Sequence, residues 1–313
     1  MNLYSYIFRR LLYIIPVLLG VCLVIFVLFN LVAPDPAYTL LGKHATLKQI
    51  ADLHHELGTD KPYIMQYLDT VKTAFTFDFG YSWTSKQNIW EMIKAGAGPS
   101  LAITGPLFVI SNIIAISLAL FVAFYRGKLI DKFVLILSIA GMSIPSLAVV
   151  LFGQWFFAYK LGMFEISGYE FGFPNFIPYV ILPILLYIVI SFGADTRFYR
   201  TVILDEAYQD YVRTARSKGL SEIKVMFKHV LKNSMIPILT QIIIQIPSLI
   251  LGLLFAESFF SIPGLGAMTI NAINNSDFPV IKAMTIMSAV GFIIFGVITD
   301  VLYTVVDPRM KLK

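Results

Sequence analysis

The sequence predicts an all-α, polytopic membrane protein with six transmembrane helices. Three observations carry that reading: scarce charge, six long apolar runs, and arginines confined to one side of them. Of 313 residues, 58% are hydrophobic and 14% charged, and the mean hydropathy is +0.77. A water-soluble domain carries about 25% charged residues, so this chain lacks the polar surface that water would solvate and is expected to sit in lipid. The single cysteine, Cys22, lies in the first apolar run, which excludes an internal disulfide and a cysteine-built metal centre. The net charge of +5 fits membrane topology and needs no nucleic-acid partner.

About 20 apolar residues cross about 30 Å of hydrocarbon. The runs that meet this length are 11–32, 99–125, 133–159, 177–198, 236–260 and 283–306. The first follows Arg9 and Arg10, as a signal peptide's would. It exceeds a signal's usual stretch of about 7–15 apolar residues. It also leads into Ala33-Pro34-Asp35-Pro36, a weak cleavage site, and is read as a retained helix. Pro106, Pro145, Pro183 and Pro247 fall inside runs, where neighbouring helices satisfy the carbonyls that proline frees. They mark kinks, whether around a pathway or for packing alone. With Arg9 inside, alternation places Arg126, Lys128 and Lys132, then the 195–233 loop, then Arg309, Lys311 and Lys313 on the same side. All eight arginines fall there, so both termini are expected in the cytoplasm. The chain divides into an N-terminal helix (1–33), an external cap (34–98) and a five-helix core (99–313) with a cytoplasmic loop at about 199–233.

The cap has no arginine and nine aromatic residues from Tyr38 to Trp90, too many for a disordered linker. Thr46 and Gln49 form a capping-box pattern, and Gly58 offers a stop, so a helix is expected over 47–57. Pro62 suits the first turn of a second helix, and Ser85 the cap of a third near 86–95. His54 and His55 point about 100° apart on a helix, which favours a solvated face over a metal site.

The inside loop is dense in basic residues, with Tyr211, Val212, Ala215, Leu220, Ile223, Met226 and Phe227 between them at helical spacing. Gly219 can take the left-handed turn that ends one helix, and Ser221 can cap the next. A helix–turn–helix projecting into the cytoplasm fits this pattern, and a pair of interfacial helices on anionic lipid fits it equally. No G-x-x-x-x-G-K-[ST] phosphate loop, His-Glu-x-x-His helix or G-x-S-x-G turn occurs. The apolar runs are nearly free of ionisable groups. Asp195 and Asp300 fall near inner ends and Glu257 near an outer end, so they read as packing or interfacial residues rather than proton carriers. Uphill transport by such a chain would draw its energy from a partner, and the basic loop is the place to receive one.

In that loop, Asp210-Tyr-Val-Arg-Thr-Ala-Arg-Ser-Lys-Gly219-Leu-Ser221 and Lys228-His-Val-Leu-Lys-Asn233-Ser-Met-Ile-Pro237 resemble the coupling loop of dipeptide/oligopeptide importer permeases of the ATP-binding-cassette superfamily. The resemblance continues through Glu257-Ser-Phe-Phe-Ser-Ile-Pro-Gly-Leu-Gly266, Asp277-Phe-Pro-Val280, Asp300-Val-Leu-Tyr303 and Asp307-Pro-Arg309. Leu57-Gly-Thr-Asp-Lys-Pro62, Gln66-Tyr67 and Asp78-Phe-Gly80 are similar to the first-permease branch, so the likeness covers nearly the whole chain. Where the general importer loop has Glu-Ala-Ala ahead of its glycine, this chain has Arg213-Thr214-Ala215, as the peptide branch does. Lys232 replaces the general proline in the same way, and Ser261-Ile262 replaces a more usual tryptophan.

The resemblance implies a six-span permease of the type I ABC importer fold with an external cap after the first helix. It implies a pathway shared with a second, homologous permease, two cytoplasmic ATPase subunits on the coupling loops, and an external substrate-binding protein. The chain would be no enzyme and hold no cofactor or metal, with ATP and magnesium bound by the ATPases. It would lie in a bacterial cytoplasmic membrane. The coupling element implied is Arg213, Thr214, Ala215, Gly219, Leu220 and Ser221, with no catalytic residues and the substrate-binding residues unassigned. Peptide is the default cargo, with nickel, glutathione and oligosaccharide importers sharing these motifs. A membrane scaffold or receptor, and an ion-coupled carrier in one chain, are the rival classes.

Overall fold

A computed structural model describes residues 3–42 and 45–306. Arg309, Lys311 and Lys313, and the Asp307-Pro-Arg309 motif, lie outside the described residues. Helix α1 (Leu3–Phe26) runs on through a π-helical stretch, Val27–Val32. The cap follows as α2 (Pro36–Leu41), α3 (Leu47–Leu57) and α4 (Tyr63–Thr76). Next come α5 (Ile89–Phe124), α6 (Leu129–Ser143), α7 (Ser146–Gly153, extended by Gln154–Lys160) and α8 (Ile177–Ala207). A short α9 (Asp210–Ser217) precedes α10 (Glu222–Val225), which continues through Met226–Leu231 into α11 (Lys232–Leu251). The chain ends on α12 (Leu254–Phe259), α13 (Leu265–Asn274) and α14 (Phe278–Val306). Among the described residues the only strand-like pairing is the isolated bridge between Tyr81 and Asn88.

Five stretches are long and apolar enough to cross a membrane: Leu12–Val32, Ile89–Phe124, Ile177–Ala207, Glu222–Phe259 and Phe278–Thr299. The pair α6–α7, bent by 91° at its break, passes the same test when taken together, which makes six if the pair is one span. The break is at Pro145. Proline disfavours helical geometry in the residue before it, and Ile144 is extended, with ψ 126°. Pro106, Pro183 and Pro247 stay inside unbroken helices.

Local capping explains the cap helices. Thr46 Oγ1 accepts the Gln49 N–H while Gln49 Oε1 accepts the Thr46 N–H, and Gly58 ends α3 in the left-handed region. Pro62 stands at the N-cap position of α4, just ahead of its first turn. The expected helix capped by Ser85 is corrected. Asn88 Oδ1 accepts both the Trp90 and Glu91 N–H groups, and the helix it starts is α5 itself. At 1.5 Å per residue α5 is about 54 Å long, well over the membrane's about 30 Å. One continuous helix therefore joins the cap to the core. His54 is also corrected from a solvated residue: its Nε2 lies 3.1 Å from Asp35 and its Nδ1 2.6 Å from Thr59 Oγ1, tying α3 to the start of α2.

Two buried carboxylates organise the cap end of the bundle. Glu257 is fully buried. Its Oε1 accepts Ser100 Oγ at 2.8 Å and the Leu253 N–H at 2.9 Å. Its Oε2 accepts the Gly266 N–H at 2.7 Å and the Ala267 N–H at 3.2 Å. The carboxylate thus joins α5, α12 and the start of α13. Gly252 and Gly264 leave it room, since a Cβ on either would lie 2.2 Å from a Glu257 oxygen. Asp277 accepts the Trp83 N–H at 3.1 Å and the Thr84 N–H at 3.3 Å, together with the Ser82 and Thr84 hydroxyls. That pins the 81–88 segment to the head of α14.

Burial pushes the Asp277 carboxyl up, but the hydrogen bonds from Ser82, Thr84 and the Trp83 amide outweigh it and hold the group below the usual carboxylate range. A depressed folded-state value stabilises the fold above the unfolded value of about 4, and that contribution is lost as pH falls through the folded value. With Trp90 and Trp155 replaced by phenylalanine, we expect Trp83 fluorescence to hold constant down to about pH 5 and to shift to the red below about pH 4. Asp277→Asn should lack the acid transition. A flat profile in the parent would show that the carboxylate does not hold the segment.

Candidate functional site

The end of the bundle opposite the cap carries Arg126, Lys128, Arg200 and the helix–turn–helix α9–α10. Arg126 stacks over the Tyr208 ring at 4.5 Å. Arg200 binds Asp131 through Nε and Nη2, each at 2.8 Å, and Asp131 also accepts the Gly127 N–H. This largely buried fork joins the start of α6 to α8.

Helix α9 is too short to be stable alone. Asp210 in its first turn and Arg216 in its last suit the helix dipole. Its main support is apolar: Val212 is fully buried and Ala215 nearly so, in a cluster with Ala119, Tyr199, Ile203 and Val230 from α5, α8 and the helix leading into α11. Gly219 ends the turn with φ +77°, donating its N–H to Arg216 O at 2.9 Å. The Arg216 guanidinium forks onto Glu222 across the turn, at 3.1 and 2.7 Å. This pair raises the Arg216 pKa further, but both side chains are more than a third exposed, so the bridge adds at most about 1 kcal/mol. Burial, with the Glu206 hydrogen bond, pushes the Tyr211 hydroxyl up to about 12, so it stays a neutral donor to Glu206 and to His229 O.

The six sequence-predicted residues do not form one surface. Arg213, Thr214, Gly219 and Ser221 face solvent, Leu220 is half-buried, and Ala215 points into the core. Ala215 therefore anchors α9 and is not open to a partner. Ser221 occupies the N-cap position of α10 but makes no side-chain capping hydrogen bond, contrary to expectation. Ile223 and Phe227 were not among the six predicted residues. They stand four apart on one helix face beside the turn, both more than half exposed. Their signal was present, as apolar residues among lysines, but periodicity alone did not say which were buried.

A second polar constellation lies inside the bundle. Asp195, expected near an inner end, sits well within α8 and accepts Gln245 Nε2 at 3.0 Å. Gln245 Oε1 faces Asn112 Nδ2 at 3.5 Å, and Asn112 Oδ1 accepts the Tyr199 hydroxyl. Asn112 belongs to α5 and Gln245 to α11, so this network joins three helices. Among the described residues, no three His, Cys, Asp or Glu side chains converge to hold a metal ion.

Residues 115–312 match the family described as binding-protein-dependent transport system inner membrane component, and residues 3–104 match its N-terminal companion. The chain is 31% identical to the dipeptide transport system permease protein DppB of Alkalihalophilus pseudofirmus, over 98% of this chain and 99% of the relative. It is 30% identical to the glutathione transport system permease protein GsiC of Salmonella typhimurium, over 99% of both. The di/tripeptide transport system permease protein DppB of Pseudomonas aeruginosa is 31% identical, over 98% of both.

The split between anchoring and exposed positions has a measurable consequence. Val212→Asp places a carboxylate in an apolar pocket and should destabilise the purified protein by about 3 kcal/mol or more in thermal unfolding in detergent. Arg213→Ala should change stability by less than about 0.5 kcal/mol. Equal losses in the two variants would contradict the assigned orientation of α9.

Proposed function

We propose a role that starts from one fact: the chain belongs to the family of binding-protein-dependent transport system inner membrane components. It is a multi-pass permease subunit of an ATP-driven importer, in which hydrolysis takes place on separate ATPase subunits and a binding protein supplies the solute. In our reading it pairs with a second, homologous permease, and two ATPases that bind ATP and magnesium dock from the cytoplasm. The basic end faces the cytoplasm, because Arg126, Arg197, Arg200, Arg213 and Arg216 gather there and arginine is retained on that side. The cap then faces out, toward the binding protein.

The observation that carries the reading is the mounting of α9. Its exposed side offers Arg213, Thr214 and the Gly219 turn, with Ile223 and Phe227 beside them, while its buried side is packed into the α5–α8–α11 cluster. Close-packed interiors transmit displacement and do not absorb it. A push on α9 by closing ATPases would therefore move the spans as levers and exchange inward- and outward-open states. Ala215 and Leu220 serve this by anchoring the lever, and Ser221 by sitting at its turn.

Peptide is the proposed cargo, supported by the relatives that carry dipeptide and di/tripeptide in their names. The glutathione permease relative, equally well covered, keeps a modified tripeptide as the second reading. Uptake by cells lacking the gene, with and without its restoration, separates them on a labelled dipeptide, pentapeptide, glutathione and nickel, with an ATP-depleted control. Restored, ATP-dependent peptide uptake is the expected outcome, and restored glutathione or nickel uptake alone would replace the cargo.

Gly219→Pro forces φ to about −65° where the turn needs +77° and removes the N–H to Arg216. We expect normal membrane insertion, checked by membrane fractionation, with uptake near background. Wild-type uptake in this variant would sink the lever.

A further inference from the structure

On helix α11, Gln241, Gln245 and Ser248 recur at the spacing that places them on one face. All three are at least partly exposed in the chain. Gln241 makes no side-chain hydrogen bond among the described residues, and Ser248 Oγ donates to Gln245 O at 2.5 Å. Beside this face stands Asp195 of α8, with Gln245 Nε2 on one oxygen. No cation among the described residues pairs with the carboxylate. Polar groups in a membrane span avoid lipid and mark a water-filled path or a partner, and an uncompensated carboxylate there is costly. The constellation is too well built for lipid and has no structural counter-charge.

We propose that this face lines the solute pathway and that Asp195, beside Gln245, forms a subsite for the ammonium group of the solute. The assignment rests on the peptide reading of the cargo, whose free amino terminus is that ammonium. The chemistry fits: an ammonium offers N–H groups and no acceptor, and Gln245 occupies only one oxygen of the Asp195 carboxylate. A single carboxylate, already shared with Gln245, holds the group without trapping it, as passage requires. The neutral Asn112–Tyr199 pair behind Gln245 fixes the amide's orientation and adds no charge.

The test uses the complete importer, with its partner permease, ATPases and binding protein, in proteoliposomes. Asp195→Asn keeps an oxygen for Gln245 and removes only the charge. Uptake of a free-amino dipeptide per ATP hydrolysed should fall about tenfold, the weight of one charge-assisted hydrogen bond, and Asp195→Glu should recover part of it. Separately, Gln241→Cys and Ser248→Cys should react with a water-soluble, membrane-impermeant thiol reagent in the assembled importer, since the native Cys22 is buried. Full transport by Asp195→Asn overturns the subsite. Unreactive introduced thiols overturn the pathway face. A wild-type importer that moves no peptide while those thiols react overturns the peptide reading and the ammonium assignment with it, and leaves the pathway face standing.

Discussion

Hydrocarbon supplies no hydrogen bonds, so every backbone group that a helix break releases must find its partner inside the protein. The break after Gly252 in the fifth span meets that constraint through one side chain. Glu257 takes the N–H groups of Leu253, Gly266 and Ala267 and the Ser100 hydroxyl, and is fully buried among them. Removing it would strand several buried donors, each costing about 1–3 kcal/mol. The rest of the cap end depends on this joint: α12 and α13 fold back over the start of the long α5 because Glu257 holds them there. Gly252 and Gly264 are glycine because a Cβ would occupy the carboxylate's place.

The opposite end solves a different problem with the same economy of parts. Helix α9 lacks the length to persist alone, so Val212 and Ala215 bind it to three membrane helices, and the Gly219 turn leaves its polar side free. One end of the bundle is locked by hydrogen bonds to a buried carboxylate and the other by apolar packing of a short helix with an exposed polar side. Between them lies a polar face on α8 and α11 with spare hydrogen-bonding capacity. That arrangement suits a subunit that moves as a rigid body on a signal received at one end.

Much of this was legible in the sequence where a local rule decides the outcome. The six spans follow from run lengths, the α3 cap from Thr46 and Gln49, and the turn from Gly219, because each depends on residues adjacent in the chain. Failures came where a competing local turn or a distant residue decides. Asn88, not Ser85, starts α5 because Ser85 is engaged in its own turn with Ser82 and Gln87. Pro145 breaks its span, with Ile144 extended before it, while Pro106 and Pro183 stay inside helices, and the proline alone does not tell them apart. Ala215 and Ile223 look alike as apolar residues in a charged loop, yet one is buried in the cluster with α5 and α8 and the other is exposed.

The central claim is that the exposed side of α9 receives the ATPase and that this contact drives the spans. It is tested most directly by photocrosslinking in the assembled importer, with a photoreactive residue in place of the solvent-facing Arg213 and, as a control, of Tyr63 in the cap. The account predicts that the probe at 213 captures the ATPase subunit and the probe at 63 does not. Capture of lipid alone at 213, with no ATPase adduct, would contradict it and place the α9–α10 pair on the membrane surface.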